Sequence, residues 1–272
     1  MRADWSELLL HRCGLALRDS QVPVFAELLQ SRTAALGLPS CTSYFDVLQA
    51  DQDTGDEWTE VVDRLVSHET MFFRHPETFE AIRTRILPEL RRRPATGGNR
   101  LAACSAGCST GEEAYSLAMI ALAEAAGDFT VWGMDMSRRA LDTARRGRYG
   151  ARAVAAVPAD CRRYLVAAEP DVFEVAEDVR RHVRFVIANL FVSCGMFLSY
   201  DLLVCQNVLI YFAPSAVPRA LAALASRLTP GGFLLLGPGE APTATPEGLE
   251  PVAINGVRAF RRVALPPREV RS

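Results

Sequence analysis

The chain has 272 residues, enough for one large domain or for one domain with a smaller companion. Hydrophobic residues make up 49% and charged residues 23%, the balance of a soluble globular protein rather than a disordered or fibrous one. The net charge of −2 supplies no overall basic field, so neither nucleic acid nor an anionic membrane is an expected partner.

No apolar run reaches the length of a membrane span, and the start, MRADWSELLL, lacks a basic segment followed by a clean apolar core. A cytoplasmic location without membrane insertion is expected. The cysteines, at 13, 41, 104, 108, 161, 194 and 205, are odd in number and contain no CxxC pair. They read as reduced, mostly buried thiols. Cys104 and Cys108 are four apart with no histidine nearby, so no metal site is expected.

The first ninety or so residues carry helical periodicity. Phe25, Leu28, Leu29 and Leu36 fall on one stripe, with Gly37 as its stop. Tyr44, Val47 and Leu48 form a second stripe behind the cap candidates Ser40, Thr42 and Ser43. Trp58, Val61, Val62 and Leu65 repeat at i, i+3, i+4 and i+7. Phe79, Ile82, Ile86 and Leu90 make a fourth, which Pro88 is expected to kink or shorten. These stripes predict a small helical bundle over residues 1–92.

RRRPATGGN (91–99) marks a linker or turn. Beyond it, short apolar runs alternate with helices: LAACS, a helix from about Glu112, TVWGMD (130–135), SRRALDTARR (137–146), VRFVIANL (183–190), DLLVCQN (201–207), SAVPRALAALASRL (215–228) and GGFLLLG (231–237). That alternation predicts an α/β domain over 93–272 with a mostly parallel sheet. Asn255-Gly256 between two β-like arms predicts a terminal antiparallel hairpin. This ending suits a Rossmann-like methyltransferase better than a dehydrogenase. The stretch 150–182 is too long for an ordinary connection and reads as a small inserted β-subdomain.

In such a sheet the ligand sits beyond the carboxyl ends of the strands, which puts the first loop, Ala106-Gly107-Cys108-Ser109-Thr110-Gly111, at the site. It lacks the G-x-G-x-x-G spacing of a dinucleotide fold. Glu112 and Glu113 follow at once. They suit the helix dipole but would repel a phosphate; a cationic ligand, such as the amino group or sulfonium of S-adenosylmethionine, fits better. Asp135 ends the second strand, where an acid can accept both ribose hydroxyls of an adenosine. NAD would use the same carboxylate, so Asp135 alone does not choose between the cofactors. Ser137 is better placed than Asp135 to cap the next helix.

Taken in order, SHETMFFRHPETF (67–79), CSAGCSTGEEAYSLAM, GMDMSRRALDTARRGRY, FVIANLF, DLLVCQNVLIYF and LTPGGFLLLGPGE resemble the CheR-type chemotaxis receptor methyltransferases over nearly the whole chain. The resemblance implies transfer of a methyl group from S-adenosylmethionine to receptor glutamates, with S-adenosylhomocysteine as product. It implies cofactor contacts by His68, Thr70, Arg74, Gly107, Glu112, Asp135, Asn189, Leu190, Gln206 and Asn207. Arg74 and Tyr211 are then the catalytic candidates, at one transfer mouth. Two positions depart from the family: His68 stands where Asn is usual, and Gln206 where Arg precedes the Asn.

The partner surfaces are changed as well. The basic face of the second helix keeps only Arg32, in QSRTAAL. The insertion, AAEPDVFEVAEDV (167–179), has no glycine for a tight turn and is lined by acids. A monomer acting on a chemoreceptor-like helical protein, without tethering by a receptor C-terminal pentapeptide, is the expectation. Two alternatives stand beside it: a methyltransferase acting on another protein or small molecule, and a cofactor-binding regulatory module without turnover.

Overall fold

The computed structural model describes residues 2–52, 54–93, 101–191, 199–242 and 244–263. Its first four helices are α1 (Arg2–Cys13), α2 (Val22–Ala35), α3 (Cys41–Ala50) and α4 (Asp56–Leu65). The predicted stripes bury together: Phe25, Leu28 and Leu29, then Tyr44 and Leu48, then Trp58, Val61, Val62 and Leu65, against Trp5 and Leu9 of α1. Trp58 keeps its indole N–H satisfied by donating to the Leu48 carbonyl at 3.0 Å. Leu36 departs from its stripe and is 42% exposed, because α2 ends at Ala35 and the chain reverses at Gly37. Ser40 caps α3, its Oγ accepting from the Ser43 N–H at 3.2 Å.

A second helical stretch follows as α5 (Pro76–Ala81), a π-helical segment over Ile82–Ile86 and α6 (Leu87–Arg91). Pro88 neither stops nor shortens the helix. It lies in the first turn of α6, where a missing N–H is tolerated, and the π turn ahead of it absorbs the interruption. Phe79, Ile82, Ile86 and Leu90 are buried, but with the sheet and not with the four-helix cluster. The hydrophobic cores therefore divide between Leu65 and Phe72, inside the stretch 1–92 expected to form one bundle. From residue 94 onward the expected linker lies outside the described residues.

The rest of the chain runs β1 (Leu101–Ala106), α7 (Glu112–Ala123), β2 (Phe129–Asp135), α8 (Arg138–Arg146), β3 (Arg148–Gly150), α9 (Ala151–Val154), β4 (Leu165–Glu169), β5 (Val172–Val175), α10 (Glu177–Arg180), β6 (Val183–Ile187), β7 (Tyr200–Cys205), α11 (Val217–Ser226), β8 (Leu228–Leu236), β9 (Leu249–Ile254) and β10 (Val257–Arg262). Seven strands form one sheet in the order β6-β2-β1-β7-β8-β10-β9. The first five are parallel, and β10 is antiparallel to both its neighbours. The hairpin closes as its sequence predicts, with Asn255 at φ 51° and Gly256 at φ 82°.

Chain order reverses about β1, which is flanked by β2 on one side and β7 on the other. The loops leaving the carboxyl ends of β1 and β7 therefore diverge and open a crevice, the place where such sheets bind ligands. The insertion forms its own sheet, β3-β5-β4. Its hairpin turns tightly without glycine because Asp171 takes the left-handed conformation at φ 58°, which corrects the argument from glycine's absence. No disulfide joins the six described cysteines, and Cys194 lies outside the described residues. Among the described residues no helix is long and apolar enough to cross a membrane.

Candidate active site

Two adjoining pockets open at the crevice. The larger, about 620 Å³, lies between the helical cluster and the strand ends, where Val62, Val66 and His68 face Asp135, Leu190 and Tyr211. The smaller, about 470 Å³, contains Thr70, Arg74, His75, Glu113 and Gln206. Ser67, Gly107, Ser109 and Asn207 border both, so the pockets meet at the loops after β1 and β7.

The loop after β1 is held from outside. The N–H groups of Gly107 and Cys108 both donate to the Met134 carbonyl, at 2.8 and 2.9 Å. Gly107 has φ 76°, and a Cβ there would stand 2.4 Å from Cγ2 of Val208, so only glycine lets the two loops approach this closely. Asp135 is the hub of the larger pocket. Its Oδ2 accepts from the Ser109 N–H at 2.7 Å and its Oδ1 from the Ser137 N–H at 2.8 Å. Each oxygen keeps lone-pair capacity for a ligand hydroxyl. Burial raises the Asp135 pKa, with the two N–H groups opposing the shift. Ser137 caps α8 as expected, accepting from the Ala140 N–H at 2.9 Å.

His68 comes from the extended segment after α4. Its Nε2 stands 3.3 Å from Oδ1 of Asp63, a carboxylate whose side chain is 6% exposed. That pairing raises the His68 pKa against burial and draws the Asp63 pKa below the usual carboxylate range despite burial. The His68 imidazole shares the pocket wall with the Asp135 carboxylate, whose charge also raises its pKa.

The two glutamates after the loop diverge, as successive residues at a helix start must, by about 100°. Glu112 is buried and lines neither pocket, accepting from Thr110 Oγ1 at 2.7 Å. Glu113 is the one that lines the smaller pocket, accepting from Ser105 Oγ at 2.7 Å. Burial pushes its pKa up to about 7. The carboxylate that lines a pocket is thus Glu113, next to the expected Glu112. The signal for it was present in the sequence as the second acid of the GEE run.

The remaining predicted residues divide between the pockets. Leu190 and Asn189 border the larger one. The Asn189 amide is committed to the protein, its Nδ2 donating to the Arg12 carbonyl at 2.7 Å and its Oδ1 accepting from the Phe191 N–H at 3.0 Å. Thr70, Arg74 and Gln206 line the smaller pocket, Tyr211 the larger, and Asn207 both. Arg74 and Tyr211 accordingly line adjoining pockets that share Ser67 and Asn207. Arg74 is exposed and spends Nη1 on the Glu69 carbonyl at 2.8 Å. The Tyr211 hydroxyl accepts from the Ser67 N–H at 3.2 Å, tying the loop after β7 to the segment carrying His68. Gln206 donates from Nε2 to Thr78 Oγ1 at 3.1 Å, while its buried Oε1 has no hydrogen-bond partner among the described residues.

Residues 68–255 match the family model for the CheR methyltransferase S-adenosylmethionine-binding domain. The chain belongs to this family. It is a methyltransferase that uses S-adenosylmethionine. Its relatives include the probable biofilm formation methyltransferase WspC of Pseudomonas aeruginosa, 31% identical over 277 residues, covering 100% of this chain and 64% of WspC. Chemotaxis protein methyltransferase 1 of the same organism is 31% identical, covering 86% of this chain and 88% of the relative. Chemotaxis protein methyltransferase 1 of Vibrio cholerae is 31% identical, with 93% of each chain covered. The chain thus spans 64% of the length of the biofilm relative but most of the two chemotaxis enzymes.

The pockets fit the CheR cofactor by their own chemistry. The larger offers an apolar wall for a purine and, in Asp135, an acid with acceptor capacity for ribose. The smaller offers Glu113 and Gln206 Oε1 as acceptors for an ammonium, and Arg74 stands as a donor at its exposed side.

Proposed function

We propose that the protein methylates glutamate side chains of a chemoreceptor-like helical protein, giving the glutamate methyl ester and S-adenosylhomocysteine. S-adenosylmethionine supplies a methyl carbon already activated by its sulfonium. Asp135, His68, Asn189, Leu190 and Gly107 would border its adenosine end, and Thr70, Glu113, Gln206 and Asn207 its methionine end. An ionised carboxylate needs no general base for in-line attack, so the protein's work is alignment and desolvation. Well-oriented reactants can save about 7–11 kcal/mol of barrier. Arg74 would hold the acceptor carboxylate by a charge-assisted hydrogen bond, exchanging its water shell for an aimed donor. The observation that carries this reading is the smaller pocket, which joins the cofactor cleft at Asn207 and Ser109 and presents Arg74 at its exposed side. Peptide mass spectrometry of a cognate receptor after reaction should map methyl esters to glutamates; modification confined to other side chains would refute the acceptor.

A second reading, methylation of a different protein or a small molecule, has one observation in its favour. Arg32, the cation left on the α2 face, is clamped by Glu57, with Nε to Oε2 at 3.0 Å and Nη2 to Oε1 at 2.5 Å. It is held in the fold rather than offered to an acidic helix. Methyl mapping separates the two readings directly.

We further propose that the enzyme works as a cytoplasmic monomer and is not tethered by a receptor C-terminal pentapeptide. In support, three arginines in and beside the insertion are paired with its own acids: Arg148 with Glu169, Arg180 with Glu174 at 3.0 Å, and Arg181 with Asp178 at 3.2 Å, which reduces the positive charge free for an acidic tail. Removing the receptor's last few dozen residues should leave methylation unchanged; a large fall, with binding of the isolated tail, would refute it.

A further inference from the structure

His75 follows Arg74 and precedes α5 just ahead of Pro76, which disfavours helical backbone at His75 and leaves it non-helical, at φ −119° and ψ 83°. Its ring lines the smaller pocket, and Nε2 lies 2.8 Å from Oδ1 of Asn207, 132 residues along the chain. An amide oxygen can only accept, so Nε2 carries the proton. With Oδ1 occupied in this way, the amide is fixed in one of its two orientations. Nδ2 is left with no hydrogen bond to a described residue, at the place where the two pockets meet.

The backbone of Asn207 is fixed just as firmly. It takes the left-handed conformation at φ 59°. Glu240, 7% exposed, accepts from four N–H groups: Asn207 at 2.7 Å and Gly237 at 2.9 Å on Oε2, Val208 at 2.8 Å and Ile210 at 3.3 Å on Oε1. A carboxylate can serve four donors in this way, while an amide cannot. One side chain therefore clamps the main chain of the loop after β7, and the other sets the direction of its asparagine.

We propose that His75 is a positioning residue that turns the Asn207 amide so that Nδ2 donates to the acceptor carboxylate as the methyl group is transferred. Asn207 then adds a second aimed donor beside Arg74, and His75 acts only through it. This inference rests on the carboxylate-acceptor reading given above.

The test uses the full chain, a cognate receptor and S-adenosylmethionine. His75→Ala should lower kcat at least tenfold while the Kd for S-adenosylhomocysteine changes less than threefold. His75→Gln, whose amide can donate to Oδ1, should recover much of the rate. In an Asn207→Ala background, His75→Ala should have no further effect. Equal rates for wild type and His75→Ala, or the same loss with and without Asn207, would overturn the proposal; so would failure of His75→Gln to recover the rate.

Imidazole ¹⁵N shifts keep the inference testable apart from the substrate. They should show His75 protonated at Nε2 in the wild type, with that preference lost in Asn207→Ala. An Nδ1–H tautomer, or shifts indifferent to Asn207, would overturn it. Absence of wild-type transfer to any receptor glutamate would instead remove the acceptor reading, and the transfer role with it, even if the tautomer result held.

Discussion

Replacing Asp135 by alanine should weaken cofactor binding while sparing or even raising the stability of the free protein. The carboxylate is half of an arrangement in which the Ser109 and Ser137 N–H groups occupy one lone pair on each oxygen. The remaining lone pairs face the larger pocket, where they would accept from the two ribose hydroxyls. Each hydrogen bond to a charged group contributes about 1.5–3 kcal/mol, so losing even one corresponds to roughly a 10- to 150-fold rise in Kd, and losing both to more. Stability moves differently, because burial raises the Asp135 pKa in the folded state. Ionised Asp135 therefore costs the free protein stability above its folded pKa, and that cost vanishes below the unfolded value. Alanine removes the cost near neutral pH but leaves the Ser109 and Ser137 N–H groups to find water. Titration calorimetry with S-adenosylhomocysteine, alongside a thermal melt of the free protein, measures both. Unchanged affinity would refute the placement of ribose at Asp135, and loss of affinity only in proportion to unfolding would refute the separation of binding from stability.

Other outcomes follow from the same geometry. Glu113, with a pKa pushed up to about 7, must ionise to pair with a cofactor ammonium, so affinity should rise as pH increases toward 7 and then level off. Glu113→Gln should flatten that profile, whereas Glu112→Gln should leave its shape intact; calorimetry at several pH values checks both. The raised His68 pKa contributes stability that is fully present below its unfolded value and fades as pH rises through the folded one, and Asp63→Asn, which removes its largest cause, should shrink that dependence in melts across the range. Arg74→Ala should depress methyl transfer more than cofactor affinity, seen as a fall in kcat with little change in Kd. Tyr211→Phe should do the same, with an added loss of melting temperature because its hydroxyl holds the Ser67 backbone.

What could be read from the sequence was local. The helix over 56–65 announces itself by periodicity, the hairpin by Asn255-Gly256, and the cofactor crevice by strand-helix alternation with Asp135 at a strand tip. Ser137 as the cap was legible because capping involves residues three apart. Choosing between Glu112 and Glu113 was not, since a one-residue change of phase on a helix takes a side chain off the pocket wall. Nor could local pattern place Phe79 to Leu90 on the sheet rather than in the helical cluster, as both destinations require the same apolar stripe. The pairs Asp63–His68, His75–Asn207 and Glu240 with the loop after β7 join segments that only the tertiary fold brings together. His75 in particular shows no partner until α5 is laid beside the end of β7.

The account is tested most directly by the fate of the transferred methyl group. Incubating the protein with tritiated S-adenosylmethionine and membranes carrying its cognate receptor, then treating the labelled receptor with base, distinguishes a carboxyl methyl ester from any methyl group on nitrogen. The account predicts that the label is released as volatile methanol and that Arg74→Ala prevents its incorporation. Label that enters the receptor but survives base would contradict it.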